Sequence, residues 1–320
     1  MKKLLAVYNI CGINGRPNIS RYINSIESIL SQDLDDVEVA ISSCLNSPAD
    51  MMFLQSTFGD KITYNTVSEV LPVNVTFNHT VQKCVEKFGE FDSYLYIDSG
   101  IDFQDQTDAF SKIYNLYKSG PYAMVAARAS GDTGFLTWFR EKRGIDTDDR
   151  GDSLFDEGGN MVLPVGTAIN LHVQLFSNDL FKEYGNIIPD IFAGQCTESV
   201  FSFLCAAINK KWIIRGDVVL EHLTGMDGAS AGFAPHLWEF QQKKARWDHP
   251  FIIDSVVDVL KEGVSFGMGY EELQDILPHD PEKFDEEGYA KDKQLKEFIR
   301  DYVFLNKDQL DYEQISHTFV

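Results

Sequence analysis

Apolar residues between positions 3 and 127 follow two spacings in turn. Short unbroken apolar runs are typical of buried strands, and apolar residues that recur every three or four positions are typical of helices. Strands are predicted at 3–8, 37–42, 62–67, 93–97 and 122–127. Helices are predicted from Pro17 to Leu30, over 75–88 and over 106–118. This alternation predicts an α/β fold with a mostly parallel central sheet and helices on both faces.

The pattern changes after this region. Residues 128–165 lose periodicity and are rich in Gly and Asp, which predicts a long loop. The elements predicted beyond it are a strand at 166–176, a helix at 178–184 capped by Ser177, a helix at 197–210, and a tight hairpin or two short strands at 212–223. From 237 the chain is acidic and helical in pattern, so we expect a main domain, 1–236, and a helical C-terminal extension, 237–320.

Charge and cysteine content narrow the classes of partner and location. The 320 residues include 49 acidic and 28 basic ones, for a net charge of −21, so we expect no nucleic-acid partner. The five cysteines are odd in number and form no CxxC pair, which disfavours a disulfide framework or zinc cluster. The apolar run Leu4–Val7 is too short for a signal peptide, and no stretch approaches the ~20 apolar residues of a membrane span. We therefore expect a soluble, cytoplasmic protein with no transmembrane segment.

The stretch SYLYIDSGIDF, residues 93–103, contains the most informative polar positions. A predicted buried strand ends there, and Asp98, Gly100 and Asp102 follow at its exit. Ligands of open α/β sheets usually bind at the carboxyl ends of strands, and carboxylate oxygens suit hard divalent cations. Asp and Gly are also ordinary turn residues. Both a metal site and a plain turn are consistent with this stretch taken alone.

Two longer blocks resemble a known family. The first, AVYNICGINGRPNISRYINSIESILSQDLDDVEVAISS, has a strand with a polar loop, an amphipathic helix ending in S-I-L-x-Q, and a second strand ending in small polar residues. The second, NVTFNHTVQKCVEKFGEFDSYLYIDSG, places an Asn-containing helix before a strand in the position of a DxD motif. Over about residues 3–225 the chain resembles the GT-A glycosyltransferases, especially the large inverting family of bacterial and viral nucleotide-sugar transferases.

This resemblance implies a divalent metal ion, Mn²⁺ or Mg²⁺, on the diphosphate of the donor. It implies that Asp98 binds the ion or the donor ribose and that His222, which follows a predicted strand and precedes a glycine-rich loop, completes the ligands. Gly100 stands where the family motif has its second Asp. Asp102 is the expected substitute ligand, and its alternative role is that of a turn or helix-cap residue.

The resemblance also implies a general base for the acceptor hydroxyl. Glu198 matches the family's acidic residue at a helix start, and Asp190 is the reserve candidate; the alternative for Glu198 is an ordinary first-turn residue favoured by the helix dipole. The residues implied in donor binding are Tyr8, Asn9, Ile10, Ser43, Asn78, Asp98, Ser99 and Gly100. Ser42 and Ser43 stand where the family often has an Asp that binds the base.

The expected function is hexosyl transfer from a nucleotide sugar, a UDP-sugar, to a glycan or other small acceptor. The alternatives are a non-catalytic nucleotide-sugar-binding scaffold, which the missing second Asp would suit, and a nucleotidyltransferase, which lacks its basic glycine-rich loop here. Simpler roles are expected for three other polar residues. His79 should lie on the polar face of a helix, and His172 should be a structural residue in a strand. Arg128 should either face a phosphate or the acceptor, or be a solvated charge. The C-terminal extension is expected to pack on the sheet, cover an acceptor cleft or form a homo-oligomer.

Overall fold

The structure is a computed structural model of the chain. It describes residues 2–11, 20–44, 48–67, 73–129, 152–163, 172–185, 187–188, 201, 204–205, 208–222 and 316–319. Its strands are β1 (Lys2–Cys11), β2 (Val37–Cys44), β3 (Thr63–Val67), β4 (Phe91–Ile97), β5 (Ile101–Asp102), β6 (Tyr122–Ala129), β7 (Asn160–Val162), β8 (Val173–Ser177), β9 (Lys211–His222) and β10 (Ser316–Phe319). Its helices are α1 (Ser20–Leu30), α2 (Pro48–Phe58), α3 (Val73–Phe88), α4 (Ala109–Ser119) and α5 (Asn178–Tyr184).

The described strands form one curled sheet in the order β10-β3-β2-β1-β4-β8-β6-β9-β5, with β7 on β9. The pairs among β3, β2, β1 and β4 are parallel, as predicted from the alternating pattern. Beyond β4 the sheet is mixed, because β8 enters antiparallel between β4 and β6. The α/β class is confirmed, and every antiparallel pair in the described sheet involves β8, β9 or β10.

Helices cover both faces of the sheet. Tyr22, Ile26 and Ile29 of α1 join Leu4, Ala6 and Tyr8 of β1 in one apolar cluster, to which α2 and α4 also contribute. On the other face, α3 contacts β1 and β2 and buries Phe77, Val81 and Cys84, at the i, i+4, i+7 spacing of one helix face. Successive residues of β1 therefore point alternately into two separate apolar layers, one on each face of the sheet.

The S-I-L-x-Q ending of α1 joins that helix to the start of α4. The Gln32 side-chain Nε2 donates to the Gln106 carbonyl at 3.0 Å, and its Oε1 accepts from the Phe110 backbone N–H, also at 3.0 Å. Ser28 Oγ accepts from the Phe103 N–H at 3.2 Å. Helix α4 lacks a side-chain cap from its own N-cap residue Asp108, so Gln32 satisfies one of its free N–H groups from a neighbouring element.

Residues 212–222, predicted as a tight hairpin or two short strands, belong to one continuous strand instead. Strand β9 pairs in parallel with β6, and its register shifts where Ala127 faces Arg215 and Arg128 faces Val219. Gly216 lies at this bulge, where a Cβ would come within 2.7 Å of the Gly159 carbonyl oxygen. The Gly-Asp pair therefore bends the strand and permits a close backbone contact, without reversing the chain.

Three other sequence predictions need qualification. The sequence analysis did not predict helix α2. Strand β8 begins at Val173, and its predicted start at 166 lies outside the described residues. Most of the predicted loop 128–165 also lies outside them. Ser177 precedes α5 as predicted, but its buried hydroxyl makes no capping bond. Among the described helices, none has the length and hydrophobicity to cross a bilayer.

The described part of the C-terminal extension is a strand. Ser316–Phe319 pairs antiparallel with β3, so that His317 faces Thr66 and Thr318 faces Asn65. The helical prediction for the rest of 237–320 lies outside the described residues, and the boundary at 236/237 stays a prediction. The end of the chain thus adds one strand to the edge of the main sheet.

Candidate functional site

Two distant segments meet at the exit of β4. Ile97 pairs with Val173 in the β4–β8 ladder, and the Asp98 backbone N–H donates to the His172 carbonyl at 2.9 Å. Residues 98 and 172 are therefore held side by side by the backbone. Because β8 inserts antiparallel beside β4, it places His172 next to Asp98, the carboxylate that the sequence analysis singled out.

Both carboxylate oxygens of Asp98 have partners. The Tyr96 hydroxyl donates to Oδ1, and Oδ2 lies 2.9 Å from His172 Nδ1. The side chains of Asp98 and His172 are 26% and 18% exposed. The pair is thus open to solvent on one side while its orientation is set from the other.

His222 reaches the same place from β9. Its backbone pairs with Ile101 of β5, next to the pair of Asp102 with Glu221. The His222 ring stacks on the His172 ring, with centroids 4.2 Å apart and an angle of 29° between the planes. The structure therefore brings Asp98 and His222 together with His172 between them, and whether they bind metal stays a prediction.

The turn after Asp98 accounts for the departure from the DxD pattern. Gly100 has φ of +83°, and its N–H donates to the Tyr8 hydroxyl at 3.2 Å. A side chain in this left-handed conformation would cost roughly 1–2 kcal/mol, so glycine suits the position better than a second Asp. Asp102 Oδ1 accepts from the Gln104 N–H at 2.8 Å, a bond typical of a turn residue. A metal contact of Asp102 stays a prediction.

A second group of polar residues lies at the ends of β1, β2 and β3. Asn9 is the direct neighbour of Ser42, and Ser42 of Asn65, so the three side chains form a row across the strands. All three are buried, and Asn9 Oδ1, Ser42 Oγ and Asn65 Oδ1 have no hydrogen-bond partner in the described part of the chain. Buried polar oxygens without partners are uncommon and mark a place where water or a ligand group could bind.

The other predicted donor residues have varied surroundings. Tyr8 is fully buried, and burial raises the pKa of its hydroxyl well above the usual value. Its hydroxyl accepts from the Gly100 N–H in the turn after Asp98, and its ring packs edge-on against Tyr22. Ile10 and Ser43 are also buried, one position beyond the Asn9–Ser42 row, and Ser99 lies in the turn itself. Direct contact of these residues with a nucleotide stays a prediction.

Asn78 is an anchor for another segment. Its Oδ1 accepts from the backbone N–H groups of Ile187 and Ile188 at 3.3 and 3.1 Å, and its Nδ2 donates to the Ile188 carbonyl at 2.7 Å. The segment that follows contains Asp190 and Glu198, both of which lie outside the described residues. Asn78 therefore holds the start of the segment in which the general base is predicted.

Several polar residues differ from their simple expectations. His79 is buried and not on an exposed polar face; its Nδ1 lies 3.0 Å from Asn65 Nδ2, and burial lowers its pKa to about 4. Arg128 stacks over the Phe155 ring at 4.9 Å. His172 lies directly in the site, which sequence reasoning missed because no local pattern predicts an antiparallel contact across 74 residues.

The described side chains of the site do not form a closed set of metal ligands. Within the described residues, no group of three or more His, Cys, Asp or Glu side chains is arranged to hold one ion.

A cavity of about 370 Å³, lined by residues that include Glu38, Thr63 and Lys87, opens at the opposite, amino-terminal edge of the strands. It is separate from the Asp98 site and has no assigned role.

Known structures share this architecture. A mannosyltransferase, PcManGT from Pyrobaculum calidifontis, in complex with GDP-Man and Mn²⁺, matches with a TM-score of 0.50 at 12% identity, over 89% of this chain and 77% of that chain. The crystal structure of S. aureus TarS 1–349 gives a TM-score of 0.44 at 13% identity, over 88% and 73%. No protein-family model and no curated sequence matches. The chain has a glycosyltransferase fold, which confirms the GT-A-like α/β fold predicted from the sequence.

Proposed function

We propose that the protein is a metal-dependent glycosyltransferase that moves a hexose from a nucleotide sugar, a UDP-sugar, to a glycan or other small acceptor. The observation that carries this proposal is the convergence of Asp98, His172 and His222 at the carboxyl edge of a glycosyltransferase fold. Carboxylate and imidazole side chains are ligand types that suit Mn²⁺, and Mg²⁺ is the alternative with oxygen ligands.

The side chains proposed to bind the donor form two groups, one that would hold the metal ion and one that would contact the uncharged base. Asp98 and His222, with Asp102 nearby, would hold the ion, which when bound neutralises the diphosphate leaving group. The row of Asn9 and Ser42 offers uncharged oxygens suited to hydrogen bonds with a base, while the side chain of Ser43, the next residue of β2, is directed to the other face of the sheet. Such contacts would orient the donor but carry no charge, so the uracil base is proposed from the family resemblance alone.

Transfer to a hydroxyl acceptor needs a group that removes the acceptor proton. Glu198 is proposed as this base and Asp190 as its substitute. Asn78 supports the proposal indirectly, because it fixes the backbone at 187–188, close in sequence to both carboxylates. Glu198→Gln should keep donor affinity and lower turnover by about 10²–10⁴-fold.

The test is nucleotide binding with and without metal. Thermal unfolding is measured with UDP and GDP, each alone and with Mn²⁺, and sugar transfer is followed as nucleoside diphosphate released from a panel of nucleotide sugars. We expect a rise in Tm with UDP that requires Mn²⁺ and is lost in Asp98→Asn. Asp60 is an exposed carboxylate at the opposite edge, so Asp60→Asn is the matched control and should behave like the unmodified protein. The absence of any nucleotide-dependent shift would refute the proposal.

A non-catalytic nucleotide-sugar-binding protein is the second candidate. The observations that favour it are the glycine at the second DxD position and the engagement of both Asp98 oxygens by Tyr96 and His172. This candidate predicts a Tm shift with nucleotide that is the same with and without Mn²⁺, and no release of nucleoside diphosphate from any sugar donor.

A further inference from the structure

We propose that Tyr8 is a positioning residue for the Asp98 carboxylate: its buried hydroxyl accepts the Gly100 N–H from inside the core and so fixes the turn that follows Asp98. This role deepens the proposed function and rests on it for the consequence in donor binding. It gives Tyr8 a part that differs from the direct donor contact implied by the family resemblance.

The Tyr8 side chain approaches the turn from within the molecule. Tyr8 has no exposed surface and belongs to the apolar cluster between the sheet and α1, where its ring packs edge-on against Tyr22 at a centroid distance of 6.0 Å. On the backbone, Tyr8 is the direct neighbour of Ile97, the last residue of β4. The phenol therefore starts beside the end of β4 and extends under the turn, where a nucleotide base has no open ring face to stack on.

The turn at residues 98–101 has a specific conformation. The Ile101 N–H donates to the Asp98 carbonyl at 3.4 Å, and φ is positive at Gly100 but not at Ser99. This is the pattern of a type II turn, in which the peptide between the two central residues is flipped relative to a type I turn. The orientation of the Ser99–Gly100 peptide therefore decides the turn type and, with it, the direction in which the chain leaves Asp98.

The Tyr8 hydroxyl stabilises one orientation of this peptide. It accepts from the buried Gly100 N–H at 3.2 Å. The backbone on either side is held by strand contacts, Asp98 through the His172 carbonyl and Ile101 through its pairing with β9. A flipped peptide would direct the Gly100 N–H away from the phenol, and a buried N–H that loses its partner is costly. The hydroxyl thus favours the observed turn between two fixed ends.

The first measurement is the exchange rate of the Gly100 amide hydrogen, followed by NMR in the full chain. Labelling with carbonyl-¹³C serine and ¹⁵N-glycine selects the Ser–Gly peptides, which occur at 99–100, 119–120 and 130–131. Tyr8→Phe keeps the ring and removes the hydroxyl. We expect its Gly100 amide to exchange at least about 10-fold faster, the equivalent of one net hydrogen bond, and its Gly120 amide to exchange at the unmodified rate.

Tyr64→Phe is the matched control. Tyr64 is buried on β3, and its hydroxyl donates to the Leu54 carbonyl at 3.0 Å, away from the Asp98 turn. The two variants lose the same chemical group from the core, so both should have a lower Tm than the unmodified protein. The exchange rate of the Gly100 amide should change in Tyr8→Phe alone.

The second measurement is donor binding and turnover. Calorimetric titration with UDP in the presence of Mn²⁺ should show an affinity about 10-fold lower in Tyr8→Phe and unchanged in Tyr64→Phe. Release of nucleoside diphosphate from the accepted sugar donor should fall by about 10–100-fold in kcat with a smaller change in KM, because a carboxylate displaced from its working position slows the reaction. A purely structural role of the hydroxyl predicts a lower Tm in both variants and no difference in UDP affinity.

Unchanged exchange of the Gly100 amide in Tyr8→Phe would overturn the positioning role, whether or not UDP binds. Faster exchange with the same UDP affinity and turnover as the unmodified protein would also overturn it. Faster exchange, with no nucleotide bound by the unmodified protein or by either variant, would retain the role of Tyr8 in the turn and reject the proposed function. UDP binding that is normal in all three proteins would retain the proposed function and reject the positioning role.

Discussion

The carboxyl edge of the sheet has two halves that differ in charge and exposure: a closed half that is buried and uncharged, and an open half with charged or titratable side chains that solvent can reach. At the ends of β1, β2 and β3, the row Asn9, Ser42 and Asn65 is uncharged and buried under α3. At the ends of β4 and β9, Asp98 and His222 are charged or titratable and, with His172, accessible to solvent. Burying a charge is costly unless it is paired, so a fold that handles an ion must do so in the open half. The closed half can bind neutral groups or serve the packing of α3.

The largest expected effect in this comparison is in the closed half, at Asn78. Asn78→Ala removes the partners of two backbone N–H groups and one carbonyl at residues 187–188, which are buried. Because each unsatisfied buried group costs about 1–3 kcal/mol, we expect a loss of about 3 kcal/mol or more in the free energy of unfolding. Urea denaturation measures it. Asn78→Asp keeps the acceptor and should lose less, and a loss below about 1 kcal/mol in the Ala variant would contradict the anchoring role.

The second effect is a pH dependence that originates at His79. Burial, with a smaller contribution from Lys83, lowers the pKa of His79 from 6.5 to about 4 in the folded state. The unfolded chain therefore binds more protons than the folded one between these values, and stability falls as the pH drops through this window. The full loss is about 3 kcal/mol, present below pH 4 and absent above pH 6.5.

The measurement is the free energy of unfolding from pH 7 to pH 4, in the unmodified protein and in His79→Gln. The variant has no proton to gain at this position, so the difference between the two curves isolates the histidine from the many carboxylates. Parallel curves would show that residue 79 is not kept neutral by burial.

The open half should respond much less to a change of charge. Asp98→Asn keeps side-chain atoms that can bond to Tyr96 and His172 and changes the charge at a partly exposed position. We expect a stability change below about 1 kcal/mol, measured by urea denaturation at pH 7, whereas the proposed metal binding should be lost. A loss of several kcal/mol would mean that the Asp98–His172 pair is a structural ion pair, and the contrast between the halves would fail.

The smallest expected effect is at Ser42. Its buried hydroxyl has no partner in the described part of the chain, so Ser42→Ala removes a desolvated polar group without breaking a hydrogen bond. We expect a change within about 0.5 kcal/mol, or a small gain in stability. A clear loss would reveal a hydrogen bond to water or to another segment. If the row binds the donor, the same variant should weaken UDP binding while leaving stability unchanged.

Much of this architecture follows from local pattern. The apolar runs of β1, β2 and β4 and the helical spacing of α1 and α3 predicted these elements, because burial on one or both faces leaves a period in the sequence. The exit of β4 at Asp98 was also readable, since an acid-glycine-acid stretch directly follows a buried run. The S-I-L-x-Q ending of α1 contributed to the predicted family resemblance. Its structural role, which is to join α1 to α4 through Gln32, became visible only in the tertiary contacts.

The sequence by itself determined the alternating elements, the polar strand ends and the glycine after Asp98. The tertiary structure alone decided that His172, 74 residues from Asp98, belongs to the same site, and that Asn78 holds a segment 110 residues away. It also showed why residue 100 is glycine, through a φ of +83°. The physical reason is that periodicity records which face of an element is buried, whereas the pairing of distant strands depends on the free energy of the whole sheet and leaves no local pattern.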